Sequence, residues 1–168
     1  VLRFNYAYSE RMQREEKRRP PDRRPLLEKV HTAALETLRS RYPSRPIVLA
    51  GKSMGARIAS LLSATGTPAQ GLVFFGYPLH APGKTDSLRD AHFAEIGAPA
   101  LFLQGTRDAL CKLERLRPSL EQFSAAATLE VIVDADHDVK VPKRAGRSRA
   151  KVLDELVTRA LAWTRGLG

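Results

Sequence analysis

The sequence predicts an α/β fold: a three-layer α/β/α sandwich built on a mostly parallel sheet. Three observations carry that prediction. Short continuous apolar runs, such as Pro46-Ile47-Val48-Leu49-Ala50 and Gly71-Leu72-Val73-Phe74-Phe75, have the length and character of strands covered on both faces. Segments with apolar residues at three- and four-residue spacing alternate with them, as βα units require. Glycine or polar turns close the runs, and neither an internal repeat nor a flexible linker interrupts the pattern. The whole of residues 1–168 is therefore expected to form one layered domain.

Taken in order, residues 1–8 alternate weakly, end on the aromatic pair Tyr6 and Tyr8, and are expected to form a short strand. Residues 9–24 are charged and broken by Pro20-Pro21, which predicts an exposed loop with at most a helical turn. Pro25 opens a helix at its favoured first position, and Leu26, Leu27, Val30, Ala34, Leu35 and Leu38 give it one apolar face as far as Tyr42. His31 lies within this helix and is expected to be partly exposed. The strand at 46–50 precedes a helix over 54–64, with Ile58, Ala59, Leu61 and Leu62 on its inner side and Gly66 as its terminator. After the strand at 71–75 come a short helix at 90–96, a strand at 98–105, a helix around 112–124, a strand at 128–134 and a closing amphipathic helix at 148–165.

Composition narrows the function classes. The apolar fraction of 43% is ordinary for a globular domain, and no apolar run approaches the roughly 20 residues of a membrane-spanning helix. A single cysteine, Cys111, excludes an internal disulfide framework and a cysteine-rich zinc site, suits a cytoplasmic location, and is expected to pack in the core. The net charge of +10 is concentrated in Arg11–Arg24 and Lys140–Lys151. Such patches attract anions, but neither interleaves the aromatics that stack single-stranded bases. Nucleic acid is thus disfavoured as a partner, and a solvated basic surface is the simpler reading.

In open α/β sheets, reactive groups gather beyond the carboxyl ends of the strands. Three strand ends here carry serine, aspartate and histidine in that order: Gly51-Lys52-Ser53-Met54-Gly55, Gln104-Gly105-Thr106-Arg107-Asp108, and Asp134-Ala135-Asp136-His137. Gly-x-Ser-x-Gly between a strand and a helix suits a nucleophile elbow, in which the two glycines leave room for a strained serine. Ser53 would be the nucleophile, His137 the general base, Asp108 its orienter, and the Met54 N–H an oxyanion donor at the helix N-terminus. Ser53 also suits a helix N-cap, Asp108 also suits a cap of the following helix, and Asp136 and Asp138 are alternative orienters. Tyr77 and His80 follow another strand end and either line an acyl pocket or pack their loop. This chemistry needs neither metal nor organic cofactor; a small-molecule acyl substrate is the partner it implies.

These motifs carry a family resemblance. Arg3-Phe4-Asn5-Tyr6, Gly51-Lys52-Ser53-Met54-Gly55-Ala56-Arg57, Gly76-Tyr77-Pro78-Leu79-His80, Gln104-Gly105-Thr106-Arg107-Asp108, and Asp136-His137 with Val141-Pro142-Lys143 resemble the dienelactone-hydrolase-like branch of the α/β-hydrolases. Within it, the chain is similar to the group containing a testis-expressed protein and the hydrolase-like domain of a chromatin-complex subunit. The resemblance implies a serine hydrolase with the triad Ser53, Asp108 and His137, acting on an ester, thioester or related acyl bond. The chromatin-complex member implies the alternative of a catalytically silent interaction module. The family pattern also places a strand and a His-Gly-type turn ahead of Arg3, the turn supplying a second oxyanion N–H. That strand would lie between the 1–8 and 46–50 strands, so the resemblance implies an N-terminally truncated α/β-hydrolase fold lacking its first strands.

Overall fold

Two compact units make up the chain in the computed structural model, which describes residues 1–167: Val1–Pro46, and Ile47 onward. The first unit corrects the sequence expectation at its front. Residues 1–6 have no regular secondary structure, and α1 spans Ala7–Glu15 where the end of a strand and the start of a loop were expected. The weak alternation of residues 1–8 finds no strand to pair with in this unit. Phe4 and Tyr6 instead pack edge-on to each other, and Phe4 packs edge-on to the His31 ring at 5.1 Å. Asp22 anchors the new helix, accepting from the Tyr8 N–H at 3.0 Å and pairing with Arg11 at 2.5 Å. Glu16 then ends α1 in the left-handed region at φ 50°.

Helix α2 spans Arg24–Arg41 with Pro25 in its first turn, as the missing proline N–H allows. Its buried residues Leu27, His31 and Leu35 recur every four positions and so share one face. His31 is 4% exposed rather than partly exposed, and its Nδ1 lies 3.2 Å from the Tyr6 hydroxyl. Burial lowers its pKa from 6.5 to about 4, so the ring is neutral at physiological pH.

The second unit holds a four-stranded sheet in the order β1-β2-β3-β4, all parallel: β1 Val48–Lys52, β2 Gly71–Phe75, β3 Ala100–Gly105 and β4 Ala127–Ile132. Helix α3 (Met54–Ala64) links β1 to β2, and α4 (Leu113–Leu120) links β3 to β4. A single 3-10 turn at Phe93–Glu95 stands between β2 and β3. Every crossover steps in the same direction, so right-handed connections put α3, the turn and α4 on one face of the sheet. Helix α5 (Arg149–Arg165) covers the other.

Strand alternation sorts the core between these layers. Val73, Leu101, Leu103 and Ile132 pack with Val152, Leu156 and Ala160 of α5. On the opposite face Phe74 and Phe102 join Tyr77, Phe93 and Phe123 in a cluster of tilted and edge-to-face rings, with centroids 4.7–5.9 Å apart. Both faces of β2 and β3 are thus covered, which is why these strands read as unbroken apolar runs. The sheet brings four strand ends side by side, and there the candidate site is assembled.

Candidate active site

The serine is held by backbone geometry. Its N–H donates to Phe75 O at 3.1 Å, prolonging the β1–β2 ladder one residue beyond Lys52. The chain then turns abruptly into α3, leaving Ser53 at φ 52°, ψ −112°, a conformation an L-residue adopts only at a cost. Gly51 makes the turn possible, since a Cβ there would meet Gly55 C at 2.2 Å and Ala56 N at 2.3 Å. Gly55 differs from the sequence expectation: a Cβ at this position meets nothing within 4 Å among the described residues. The Ser53 side chain makes no capping bond, although the residue sits at the N-cap position. The first helical bond runs from the Arg57 N–H to Ser53 O, which leaves the Met54 N–H outside the helical ladder.

The other strand ends deliver the partners. At the end of β3, Gly105 lies so close to the loop after β4 that a Cβ would meet Ala135 O at 2.2 Å. Thr106 N–H donates to Ile132 O and Arg107 N–H to Ala135 O, stitching the two loops together. Asp108 and His137 are thereby set opposite each other, with His137 Nδ1 2.8 Å from Asp108 Oδ2 and His137 Nε2 2.8 Å from Ser53 Oγ. A carboxylate only accepts, so the imidazole proton belongs on Nδ1 and Nε2 is free to accept from the serine hydroxyl. Asp108 is almost fully buried, and His137 and Ser53 are partly so.

The carboxylate is fully engaged. Besides His137 it accepts from Gln104 Nε2 at 2.6 Å on the same oxygen, and from the Leu110 N–H at 2.8 Å on the other. The alternative orienters are spoken for elsewhere. Asp136 Oδ1 accepts from the backbone N–H groups of Asp138 and Lys140 and so shapes the histidine loop. Asp138 faces Lys52 and Lys140 at 3.7 and 3.8 Å. Gly76 lies directly beside the pair at φ 64°, where a Cβ would stand 3.4 Å from Asp108 Oδ2 and 3.5 Å from His137 Nδ1. A cavity of about 20 Å³ adjoins this pair, lined in part by Gly76, Asp108, His137 and Val139; it is large enough for a water but not for an acyl chain.

Tyr77 and His80 are both fully buried, so neither offers side-chain surface to an acyl group. The Tyr77 hydroxyl donates to Arg89 O at 3.0 Å, and burial raises its pKa. The His80 ring bonds Ala81 O through Nδ1 and accepts the Lys112 N–H through Nε2. Their backbones do related work: Tyr77 N–H donates to Gln104 Oε1, and His80 N–H to Leu110 O. This loop therefore pins the segment that carries Asp108. Cys111 packs in the core as expected, its thiol pushed up chiefly by burial. Sequence reasoning quoted Gln104 and Gly76 within motifs but gave neither a role. The available signal was a lone amide inside the apolar run of β3, and a glycine directly after β2. No group of three or more His, Cys, Asp or Glu among the described residues is placed to hold a metal ion.

Comparisons with known proteins agree with this architecture. An α/β serine hydrolase homologue from Coxiella burnetii superposes with a TM-score of 0.62 at 20% identity, over 86% of this chain and 63% of its own. A dienelactone hydrolase-like promiscuous phosphotriesterase from metagenomic libraries gives 0.65 at 17% identity, over 96% and 67%. An α/β serine hydrolase from Xanthomonas campestris gives 0.60 at 23%, over 86% and 60%. The chain thus spans about three-fifths to two-thirds of the length of these proteins, and at such identities the likeness is one of fold. No helix among the described residues is long and apolar enough to cross a membrane. The family model described as an alpha/beta hydrolase domain matches residues 1–165, and the chain belongs to that family.

Proposed function

We propose that this chain carries the catalytic centre of a serine hydrolase that cleaves an ester, thioester or related acyl bond through an acyl-enzyme on Ser53. The observation that carries the reading is the continuous relay Ser53 Oγ–His137 Nε2–His137 Nδ1–Asp108 Oδ2, with 2.8 Å at each hydrogen bond. In the first half-reaction Ser53 Oγ attacks the acyl carbonyl while its proton passes to His137 Nε2. The imidazolium, held by Asp108, then protonates the leaving alcohol or thiol as its bond to the acyl carbon breaks. Water attacks the acyl-enzyme in the second half, giving its proton to the same nitrogen, and the proton returns to Ser53 as the acid departs. The Met54 N–H, outside the helical ladder at the N-terminus of α3, is directed to the developing oxyanion. Two of the structural neighbours are described as serine hydrolases or homologues of one, which agrees with the reading.

The test is covalent labelling by a fluorophosphonate probe, with the adduct located by mass spectrometry. Wild-type protein is expected to be labelled on Ser53, with labelling abolished in Ser53→Ala and slowed at least about 100-fold in His137→Ala. Wild-type protein that is folded yet unlabelled, or labelled equally after Ser53→Ala, would overturn the assignment.

A further inference from the structure

Gln104 is the last side chain of β3 before the terminal Gly105, and it is fully buried. Leu101 and Leu103 face the α5 layer, so strand alternation puts Gln104 with Phe102 on the aromatic side, in a setting that would suit another apolar residue. A buried amide with unpaired groups forfeits its hydration without return, so this one persists only with both ends satisfied. The Tyr77 N–H can only donate and the Asp108 carboxylate can only accept. Together they fix which end of the amide is which: Oε1 takes the Tyr77 N–H at 2.9 Å, and Nε2 donates to Asp108 Oδ2 at 2.6 Å. That oxygen is the one that faces His137 Nδ1.

We propose that Gln104 is a positioning residue for the reaction, holding the Asp108 carboxylate in the orientation that steers His137 toward Ser53. This rests on the serine-hydrolase reading, but its physical content is independent of turnover. The amide ties Asp108 to the turn after β2, so three strand ends determine one carboxylate oxygen. It also gives Oδ2 a second donor, which spreads the carboxylate charge between a neutral amide and the imidazole. Without the amide, Oδ2 is held by His137 alone and rotates more freely about the Asp108 side-chain bonds.

Two variants test this. Gln104→Met keeps the volume but removes both hydrogen bonds. Gln104→Glu keeps an acceptor for the Tyr77 N–H and, when protonated, a donor for Asp108. The readouts are p-nitrophenyl acetate hydrolysis across pH, thermal unfolding, and NMR titration of the His137 ring. Gln104→Met is expected to lower kcat about 10- to 100-fold with little change in KM, and to change the NMR signature of the His137 ring. Gln104→Glu is expected to approach wild-type kcat at acid pH and lose activity as pH rises, because two carboxylates at this separation cannot both ionise. Folded variants with the wild-type pH profile and the wild-type His137 ring signature would overturn the proposal. If Gln104→Met does not fold, Gln104→Glu decides alone: activity that falls away from wild type as pH rises supports the positioning role, and the wild-type pH profile overturns it. Failure of the serine-hydrolase reading is recognised separately, as a changed His137 ring signature in a protein that Ser53-directed probes do not label.

Discussion

Strain stored at Ser53 has a measurable consequence. The residue sits at φ 52°, ψ −112°, where a side chain costs about 1–3 kcal/mol and glycine costs nothing. Ser53→Ala and Ser53→Gly both remove the 2.8 Å hydrogen bond to His137, so that loss cancels between them. Neither loses a cap, because the serine oxygen makes no capping bond. What separates the variants is the strain relieved by glycine, less the roughly 0.5–1 kcal/mol of extra backbone entropy glycine gives the unfolded chain. Ser53→Gly is therefore expected to be more stable than Ser53→Ala by about 1 kcal/mol, or about 2–4 °C in Tm for a chain of this size. Urea unfolding followed by the fluorescence of Trp163, the sole tryptophan and a residue of α5, reads the difference in the unit that holds the site. Equal stabilities, or a more stable alanine variant at the same m-value, would show that the elbow is unstrained and that Ser53 is not held poised by its backbone.

Two further outcomes follow from the geometry. Gly51→Ala forces a Cβ to within 2.2 Å of the Gly55 backbone and is expected to destabilise by about 3 kcal/mol and abolish probe labelling. Gly55→Ala, facing open space, should keep the fold and gain up to about 1 kcal/mol; similar urea midpoints for the two variants would refute the difference. Burial holds the His31 pKa at about 4 against 6.5 in the unfolded chain, so the unfolded state takes up the proton first as pH falls. Its contribution to stability is complete above about pH 6.5 and is lost between there and pH 4, to a total of about 3 kcal/mol. His31→Gln should flatten this part of the urea-midpoint profile measured by circular dichroism, and an unchanged slope would refute it.

The second unit was largely legible because its strands are covered on both faces. Such strands announce themselves as short apolar runs whatever their neighbours, and β2 begins and ends where the run Gly71–Phe75 does. The boundaries that moved did so for hydrogen-bonding reasons. Proline has no N–H for a ladder, so β1 begins after Pro46 and β3 after Pro99, and β1 extends instead through Gly51 and Lys52, which pair with Phe74 and Phe75. Helix α4 ends at Leu120, short of the expected residue 124. The front of the chain was misread because residues 1–8 alternate only weakly and a strand requires a partner that sequence periodicity does not specify. Asp22, fourteen residues from Tyr8, decided that segment by capturing its backbone and Arg11.

The candidate site shows a sharper division between what sequence encodes and what packing decides. Ser53, Asp108 and His137 were legible because each follows a recognisable strand, and strand ends in a parallel sheet converge whatever the side chains between them. Tyr77 and His80 follow a strand end too, yet the same rule fails for them. Convergence puts a residue near the site but does not say whether its side chain points outward or lies beneath. Here the tyrosine is drawn under by the rings of Phe74, Phe93 and Phe102, and the histidine by the backbone of Ala81 and Lys112. Gln104 is the converse case: a polar residue within a core strand looks like a flaw in the pattern until its two partners are known. A buried polar group that breaks an apolar run must be offset by specific bonds, so such a break, lying four residues before the candidate orienter, is itself a legible sign of a bonded polar partner close by.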